Sequence, residues 1–202
     1  MIILLVPILS LFATERYSFE SSTLGADLFL PKTAKVDSLK RGDMAAMFVL
    51  RDLNTDNPFY LRDYTGKVLR DPSATRQVVV LSFWSSWCEP CKLEIPRLTK
   101  LAGEFTGKPV KFILINTMED GSVTEDSIRK TYRARSYSLQ CLLDATGRIA
   151  KLYNARVLPN IVVIDQHGVV RKVMQGFREK EYPELGETLM RLIDENSTLP
   201  GK

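Results

Sequence analysis

The chain has few residues of the kinds that hold metal ions or build disulfide frameworks. Its 202 residues include three cysteines and one histidine. An odd number of cysteines argues against a purely structural disulfide framework, which a chain of this length does not need in order to bury a core. A structural zinc site takes four ligands, usually from two Cys or His pairs. Because Cys141 and His167 both lie far in sequence from the one close cysteine pair, we expect no zinc site and no bound cofactor.

Long runs of basic residues are also absent. The formal net charge is +4, the isoelectric point is near 8.9, and the charged residues, 26% of the chain, alternate in sign along the sequence. Nucleic-acid binding needs positive charge clustered on one face. A mildly basic solvated surface is the simpler interpretation, so we expect no nucleic-acid partner.

No apolar run is long enough to cross a bilayer comfortably. Residues 2–13 are apolar apart from Ser10, and a core of roughly 30 Å needs about 20 such residues in a helix. Residues 1–13 fit a signal-peptide core or a loose anchor better, which predicts an extracytoplasmic protein that is secreted or tethered. The fit is imperfect, since no Lys or Arg precedes the run and Leu11 occupies a position where cleavage favours a small residue. An apolar strand or helix of the fold and a wrongly assigned start remain alternatives.

The rest of the chain divides into a lead-in and one α/β domain. Residues 14–40 are rich in Ser and Thr without periodicity, which indicates a stalk, and residues 41–197 form the domain. Hydrophobic patterning predicts, in order, a hairpin over 44–66 that ends at Thr65-Gly66, a buried strand over 77–84, a helix that ends at Gly107, a strand over 109–116, a helix from Thr124, a strand over 138–144, a short helix over 145–155, a hairpin over 160–174 and a helix over 178–196. This order predicts a covered, largely parallel sheet to which the last hairpin adds antiparallel strands.

Two of the three cysteines lie in one stretch, "FWSSWCEPCKLEIPRL", residues 83–98. Cys88 follows the buried strand and is expected in the first turn of the next helix, where free N–H groups and the helix dipole stabilise a thiolate. One turn separates it from Cys91, so the two sulfurs can form a small ring, and Pro90 suits a helix start. The pattern predicts dithiol–disulfide exchange, in which an exposed Cys88 attacks and a covered Cys91 resolves the mixed disulfide. Two cysteines that merely pack in a helix are the structural alternative.

The pattern W-C-x-P-C-x-x-E-x-P over residues 87–96 resembles the thioredoxin superfamily, and more narrowly the TlpA/ResA/CcmG-like extracytoplasmic thiol-disulfide oxidoreductases. The resemblance extends from about residue 42 to the last helix. It implies a thioredoxin-like fold: a central mixed sheet flanked by helices, with an N-terminal hairpin and a helical insertion. It also implies a redox-active disulfide between Cys88 and Cys91, and a kink in the active-site helix at Pro96.

The resemblance also assigns residues to substrate binding. Pro159 stands immediately before the predicted strand "IVVID", where the family places a cis-proline that faces the two cysteines. In that position Leu158 would offer backbone groups to an extended substrate peptide. Trp87 is expected to be a partly exposed platform beside the site, with Trp84 packed as its support. Leu158 and Asn160 depart from the family's common Thr-Pro-Thr form, which leaves substrate preference open.

Glu94 is the candidate proton acceptor. It lies one turn after Cys91, and the family places a glutamate here; a solvated, ion-paired Glu is the alternative. Ser82 stands where generic thioredoxins have a buried Asp. A carboxyl desolvated beside a thiol would have a raised pKa and could exchange a proton with Cys91. The third cysteine, Cys141, is expected to be a buried, inert strand residue, with partnership to Cys88 as the alternative.

Glu89 indicates the direction of electron flow. An acid beside Cys88 opposes thiolate formation, so we expect a reductant rather than an oxidase or isomerase. The resemblance implies reduction of apocytochrome c thiols or of other extracytoplasmic protein disulfides, and re-reduction by a membrane-bound thiol reductant.

Two other functions remain open. One is a thiol peroxidase of peroxiredoxin type, although Leu81 and Ser85 occupy the Pro and Thr places of that pattern. The other is a copper carrier that uses the two cysteines and His167.

Overall fold

The computed structural model describes residues 39–197, with side chains up to residue 195. The apolar segment 1–13 and nearly all of the lead-in 14–40 lie outside the described residues. Within the described part, seven strands and four α-helices follow one another as β1 (Val49–Asp52), β2 (Pro58–Tyr60), β3 (Val78–Trp84), α1 (Glu89–Glu104), β4 (Val110–Thr117), α2 (Glu125–Ala134), β5 (Gln140–Asp144), α3 (Arg148–Leu152), β6 (Asn160–Ile164), β7 (Val170–Gln175) and α4 (Tyr182–Ser197).

The strands form one mixed sheet in the order β2-β1-β5-β4-β3-β6-β7. The central strands β3, β4 and β5 are parallel, whereas β6 and β7 add to one edge in antiparallel fashion and the β1–β2 hairpin adds to the other. The predicted α/β architecture, with an N-terminal hairpin and α2 inserted between β4 and β5, is confirmed.

The N-terminal hairpin ends earlier than the sequence pattern indicates. Strand β2 stops at Tyr60 rather than continuing to Thr65-Gly66, and a 3-10 turn follows at Leu61–Asp63. The carbonyl of Leu61 accepts hydrogen bonds from the N–H groups of Tyr64 and Thr65, at 3.1 and 3.2 Å, which bends the chain out of the sheet. Leu61 is fully buried in the core layer on this side of the sheet, so tertiary packing holds the turn in place.

Helices cover both faces of the sheet. On one face, α1, α2 and α4 pack their apolar sides against alternate residues of β3, β4 and β5. On the other face, α3 and the N-terminal hairpin region cover the remaining residues of the same strands. This double covering explains why all seven residues of β3 are buried and why its sequence is a continuous apolar run rather than an alternating one.

Local signals set the helix starts. The side chain of Thr124 caps α2 by accepting a hydrogen bond from the N–H of Ser127 at 3.2 Å, as its position in the sequence predicts. Pro96 lies inside α1, which continues past it to Glu104.

None of the described helices has the length and apolar character that crossing a membrane would require.

Candidate active site

The two close cysteines form a disulfide at the start of α1. Their sulfurs are 2.07 Å apart, and their Cα atoms are separated by 5.3 Å. Cys88 is the N-cap residue, and its sulfur accepts a hydrogen bond from the N–H of Cys91 at 3.2 Å. Pro90 lies in the first turn, where its missing N–H leaves no hydrogen bond unmade.

The predicted exposure of Cys88 is wrong for this oxidised form. Cys88 is 2% exposed and Cys91 1%, so the two are equally covered. Cys88 also precedes the first helical turn instead of lying within it. Both cysteines belong to the apolar core layer that α1 forms with the sheet.

Glu94 lies on the buried side of α1, one turn beyond Cys91. It is 1% exposed, and the hydroxyl of Ser82 on β3 faces both of its carboxyl oxygens, at 3.0 and 3.1 Å. Burial raises the pKa of Glu94 to about 8, against the opposing effects of Ser82 and Tyr182. Ser82, which takes the place of an acid in generic thioredoxins, therefore serves as a hydrogen-bond partner of the acid on α1.

Tyr182 is a site residue that the sequence analysis missed. It begins α4, is 2% exposed, and its hydroxyl makes no hydrogen bond of normal geometry among the described residues. Burial and the charge of Glu94 together raise the pKa of this phenol. Its spacing to the apolar residues of the same helix, Leu185, Leu189 and Leu192, marks it as core-facing. Nothing in the sequence indicates that it faces Glu94.

The loop before Cys88 is tied to the loop after β4. Both loops follow parallel strands, so they meet at the same edge of the sheet. The hydroxyl of Ser85 donates a hydrogen bond to the carbonyl of Thr117, and the indole N–H of Trp87 donates one to the carbonyl of Met118 at 2.8 Å. We call residues 85–87 and 117–119 together the loop clasp.

Glu119 makes the remaining contacts of the loop clasp. One carboxylate oxygen accepts hydrogen bonds from the backbone N–H of Ser86 and from the side-chain amide of Asn116, both at 2.6 Å. The other oxygen accepts from the hydroxyl of Ser86 at 2.7 Å. The sequence analysis missed this residue too, because only the parallel pairing of β3 and β4 brings it to Ser86.

The proposed substrate-binding residues lie at this same edge of the sheet. Trp87 is 57% exposed beside the disulfide, whereas Trp84 is buried and packs edge-on against Tyr137 with ring centres 5.7 Å apart. The peptide bond between Leu158 and Pro159 is cis, as the resemblance implies.

The sheet pairing explains why these groups converge. Strand β6 runs antiparallel to β3 and starts at Asn160, which lies opposite Phe83, near the end of β3 that leads to Cys88. The residues just before β6 and those just after β3 therefore share one edge of the sheet.

The structure separates His167 from the cysteines. Ile164, at the far end of β6, lies opposite Val79 near the start of β3, and His167 is in the turn beyond it. A five-residue strand spans about 17 Å, so the three ligands of the copper alternative are not brought together. Among the described residues, no cluster of three or more His, Cys, Asp or Glu side chains suits a metal ion.

Cys141 is a free, fully buried cysteine on β5. Burial raises the pKa of its thiol to about 12, which keeps it protonated at neutral pH. Strand β4 lies between β5 and β3, and Leu114 separates Cys141 from Ser82 across the sheet. This placement agrees with an inert core residue.

Comparison with known proteins finds a family model and named relatives that match most of the chain. The AhpC/TSA family model matches residues 42–173. The thiol-disulfide oxidoreductase ResA of Halalkalibacterium halodurans is 30% identical over 154 residues, which cover 76% of this chain and 77% of that protein.

Two solved structures extend the likeness to the fold. A putative thiol:disulfide interchange protein DsbE from Chlorobium tepidum has a TM-score of 0.65 at 24% identity and covers 77% of this chain and 99% of its own. The exposed lipoprotein thioredoxin of Streptococcus pneumoniae has a TM-score of 0.58 at 25% identity and covers 71% of this chain and 100% of its own.

Proposed function

The chain belongs to the AhpC/TSA family and has a thioredoxin-like fold, and on that premise we propose that it reduces disulfides of proteins outside the cytoplasm. It is a thiol-disulfide oxidoreductase, and its substrates are proteins. The observation that carries the proposal is the disulfide of Cys88 and Cys91, which lies at the start of α1 with a buried carboxyl group one turn behind it.

The reducing half of the cycle uses three residues. In the dithiol form, the Cys88 thiolate attacks a substrate disulfide, forms a mixed disulfide and releases one substrate thiolate, which takes up a proton. Cys91 then gives its proton to the carboxylate of Glu94 and attacks the sulfur of Cys88. The second substrate sulfur leaves as a thiolate, which takes up a proton, and the protein disulfide seen here is the product. Two electrons pass to the substrate, and an external dithiol must return them.

Glu94 suits its step because its protonation changes near neutral pH. With a pKa of about 8, Glu94 is ionised in part of the molecules near neutral pH, and the carboxylate of such an acid is basic enough to take a proton from a thiol. A solvated glutamate would be far too weak a base for this step. Its burial on the same side of α1 as Cys91 is what makes the proposed role chemically feasible.

Trp87, Leu158 and Pro159 are the proposed substrate contacts. The indole of Trp87 offers an exposed apolar surface next to the disulfide, and its N–H is already bonded to Met118. The segment before β6 follows the same edge of the sheet, which suits an extended peptide that adds backbone hydrogen bonds there. The half-buried side chain of Leu158 packs against both layers of the core, so its backbone position is firmly held.

We place the protein outside the cytoplasm, secreted or tethered by residues 1–13, with a membrane-bound thiol reductant as its electron donor. Two observations support this: the apolar N-terminal segment, and the likeness to a thioredoxin described as an exposed lipoprotein. An oxidising compartment also gives a disulfide reductase substrates that the cytoplasm does not hold.

Trapping tests the proposed roles. The Cys91→Ser variant keeps Cys88 but cannot resolve the mixed disulfide, so it should accumulate a covalent adduct with a disulfide peptide, seen by mass spectrometry. Cys88→Ser is the matched control and should form none. Equal trapping by the two variants would remove the assignment of Cys88 as the nucleophile.

The choice of peptide tests the proposed substrate. One peptide carries an oxidised Cys-x-x-Cys-His sequence, the haem attachment site of c-type cytochromes, and the other replaces its His by Ala. Faster trapping of the first supports apocytochrome c as the substrate, whereas equal rates support a general protein-disulfide reductase. Rapid consumption of hydrogen peroxide by Cys91→Ser would instead favour the thiol peroxidase.

A further inference from the structure

Glu89, the acid from which the sequence predicts a reductant, is poorly placed to set the direction of electron flow. Glu89 follows Cys88 directly, but its side chain is 77% exposed and forms an ion pair with Lys92. Solvent screens an exposed carboxylate strongly, and a neighbouring ammonium group cancels much of its field. Glu89 therefore acts only weakly on the sulfur of Cys88.

Glu119 is better placed. Its carboxylate is partly buried and is held by three hydrogen bonds, two from Ser86 and one from Asn116. All three donors are neutral groups, so these contacts fix the carboxylate without neutralising its charge. Ser86 is two residues before Cys88, a stretch of chain no longer than about 7 Å. The Glu119 carboxylate is a further 2.6 Å away, at the nitrogen of Ser86, so its distance from Cys88 is on the order of the screening distance of about 8 Å at physiological salt.

We propose that Glu119, rather than Glu89, is the acidic residue that makes the cysteine pair reducing. It is a positioning residue, because it acts on Cys88 through the loop clasp and through its charge, without taking part in the exchange of sulfur bonds. The inference rests on the proposed function, in which Cys88 and Cys91 exchange electrons with a thiol partner.

Two physical effects act in the same direction. The negative charge opposes formation of the Cys88 thiolate and so disfavours the reduced form of the pair. The same carboxylate also accepts the N–H of Ser86, which is thereby unavailable to an anion near the start of α1. A less stable dithiol form gives up its electrons more readily, which is the property of a reductant.

The other charged groups of the site do not duplicate this effect. On α1, Glu89 and Lys92 pair with each other. Glu94 lies on the buried side of the same helix beside Ser82 and Tyr182, and burial favours its protonated, uncharged form. Within residues 39–195, Glu119 is the acid whose side chain hydrogen-bonds to the loop that leads directly to Cys88.

Equilibration with glutathione measures the proposed effect. In this reaction the protein disulfide and two glutathione thiols give the protein dithiol and one glutathione disulfide, so two electrons pass. Glu119→Gln keeps the size and one acceptor oxygen but removes the charge. It should shift the equilibrium about fivefold towards the reduced protein, or about 20 mV. It should also lower the pKa of the Cys88 thiol, read from the rate of alkylation against pH.

Glu89→Gln is the matched control, because it removes the same charge one residue after Cys88. It should shift the same equilibrium by less than about twofold. An equal or larger shift from Glu89→Gln, or an unchanged equilibrium in Glu119→Gln, would overturn the proposal.

A second pair of variants leaves Glu119 in place. Ser86→Lys puts an ammonium group beside the carboxylate and should shift the equilibrium in the same direction as Glu119→Gln. Ser86→Ala removes only the hydroxyl contact and should change it by less than about twofold. Equal shifts in both would mean that the loop clasp acts only by its geometry, which also contradicts the proposed charge effect. If the wild-type pair exchanges electrons with neither glutathione nor a stronger small dithiol, the proposed function itself fails.

Discussion

The carboxyl group of Glu94 shows how strongly one side chain depends on the elements around it. Its surroundings are Ser82 on β3 and Tyr182 at the start of α4, and Cys91 lies one turn before it on the same helix. Burial favours the protonated form, whereas the hydroxyl groups favour the charged form. The balance leaves the pKa of Glu94 at about 8, within the range where thiol exchange takes place.

At this scale, Tyr182→Phe should raise the pKa of Glu94 further. The substitution removes the phenolic hydroxyl that can donate to the charged carboxylate, and the expected rise is about half a pKa unit. Carbon-13 NMR of the Glu94 carboxyl carbon against pH measures it directly, with Glu94→Gln to assign the signal. Tyr132→Phe is the control, because this phenol donates its hydrogen bond to the carbonyl of Leu139, and it should leave the Glu94 titration unchanged. An unchanged titration in Tyr182→Phe would show that the hydroxyl has no part in setting this pKa.

At the scale of helices and strands, the ends of these elements position the residues of the site. Cys88 caps α1 in the role that Ser or Thr usually takes, with its sulfur as the acceptor. The parallel pairing of β3 with β4 brings their following loops together as the loop clasp, and the antiparallel pairing of β3 with β6 brings Pro159 to the same edge. Helix α2 then returns the chain from this edge to β5, and its start is fixed by Thr124.

At the scale of the elements, Thr124→Ala should destabilise the protein by about 1 kcal/mol, because it leaves the N–H of Ser127 at the start of α2 without its side-chain partner. Urea unfolding measures this free energy. Thr124→Ser keeps an acceptor at the cap and should lie within about 0.5 kcal/mol of the wild type. Equal losses of unfolding free energy in both variants would show that the methyl group of Thr124, and not its capping oxygen, contributes this stability.

For the molecule as a whole, the buried carboxyl group makes stability depend on pH. Glu94 titrates at its ordinary value of 4.5 in the unfolded chain and at about 8 in the folded protein. Between these values the folded state keeps a proton that the unfolded state has lost, so the free energy of unfolding falls as the pH rises. Below pH 4.5 both states are protonated, and the contribution of Glu94 is then most favourable.

Replacing Glu94 by Gln should therefore flatten the pH dependence of stability. The wild type is expected to lose about 3 to 4 kcal/mol between pH 4.5 and 8 through this group, and Glu94→Gln should not show that loss. Urea unfolding of both proteins in the disulfide form, at several pH values, isolates the effect from the titration of the cysteines. Parallel curves for the two proteins would mean that Glu94 is not protonated in the folded state at neutral pH.

Much of the fold was predictable from hydrophobic patterning. The apolar run of β3, the Thr124 cap and the order of strands and helices are local signals, and the structure confirms them. The end of the first hairpin was not predictable, because the buried position of Leu61 depends on distant parts of the chain. The exposure predicted for Cys88 was wrong for a similar reason, since burial in the disulfide form depends on how α1 packs on the sheet.

The sequence by itself determined the chemistry that the chain carries: two cysteines one helical turn apart at a helix start, a proline between them and a glutamate one turn later. These features lie within one short segment, so local spacing specifies them. Only the tertiary structure decided which distant groups surround that segment. Ser82, Tyr182 and Glu119 reach it through strand pairing and helix packing, and these long-range contacts leave no local pattern in the sequence.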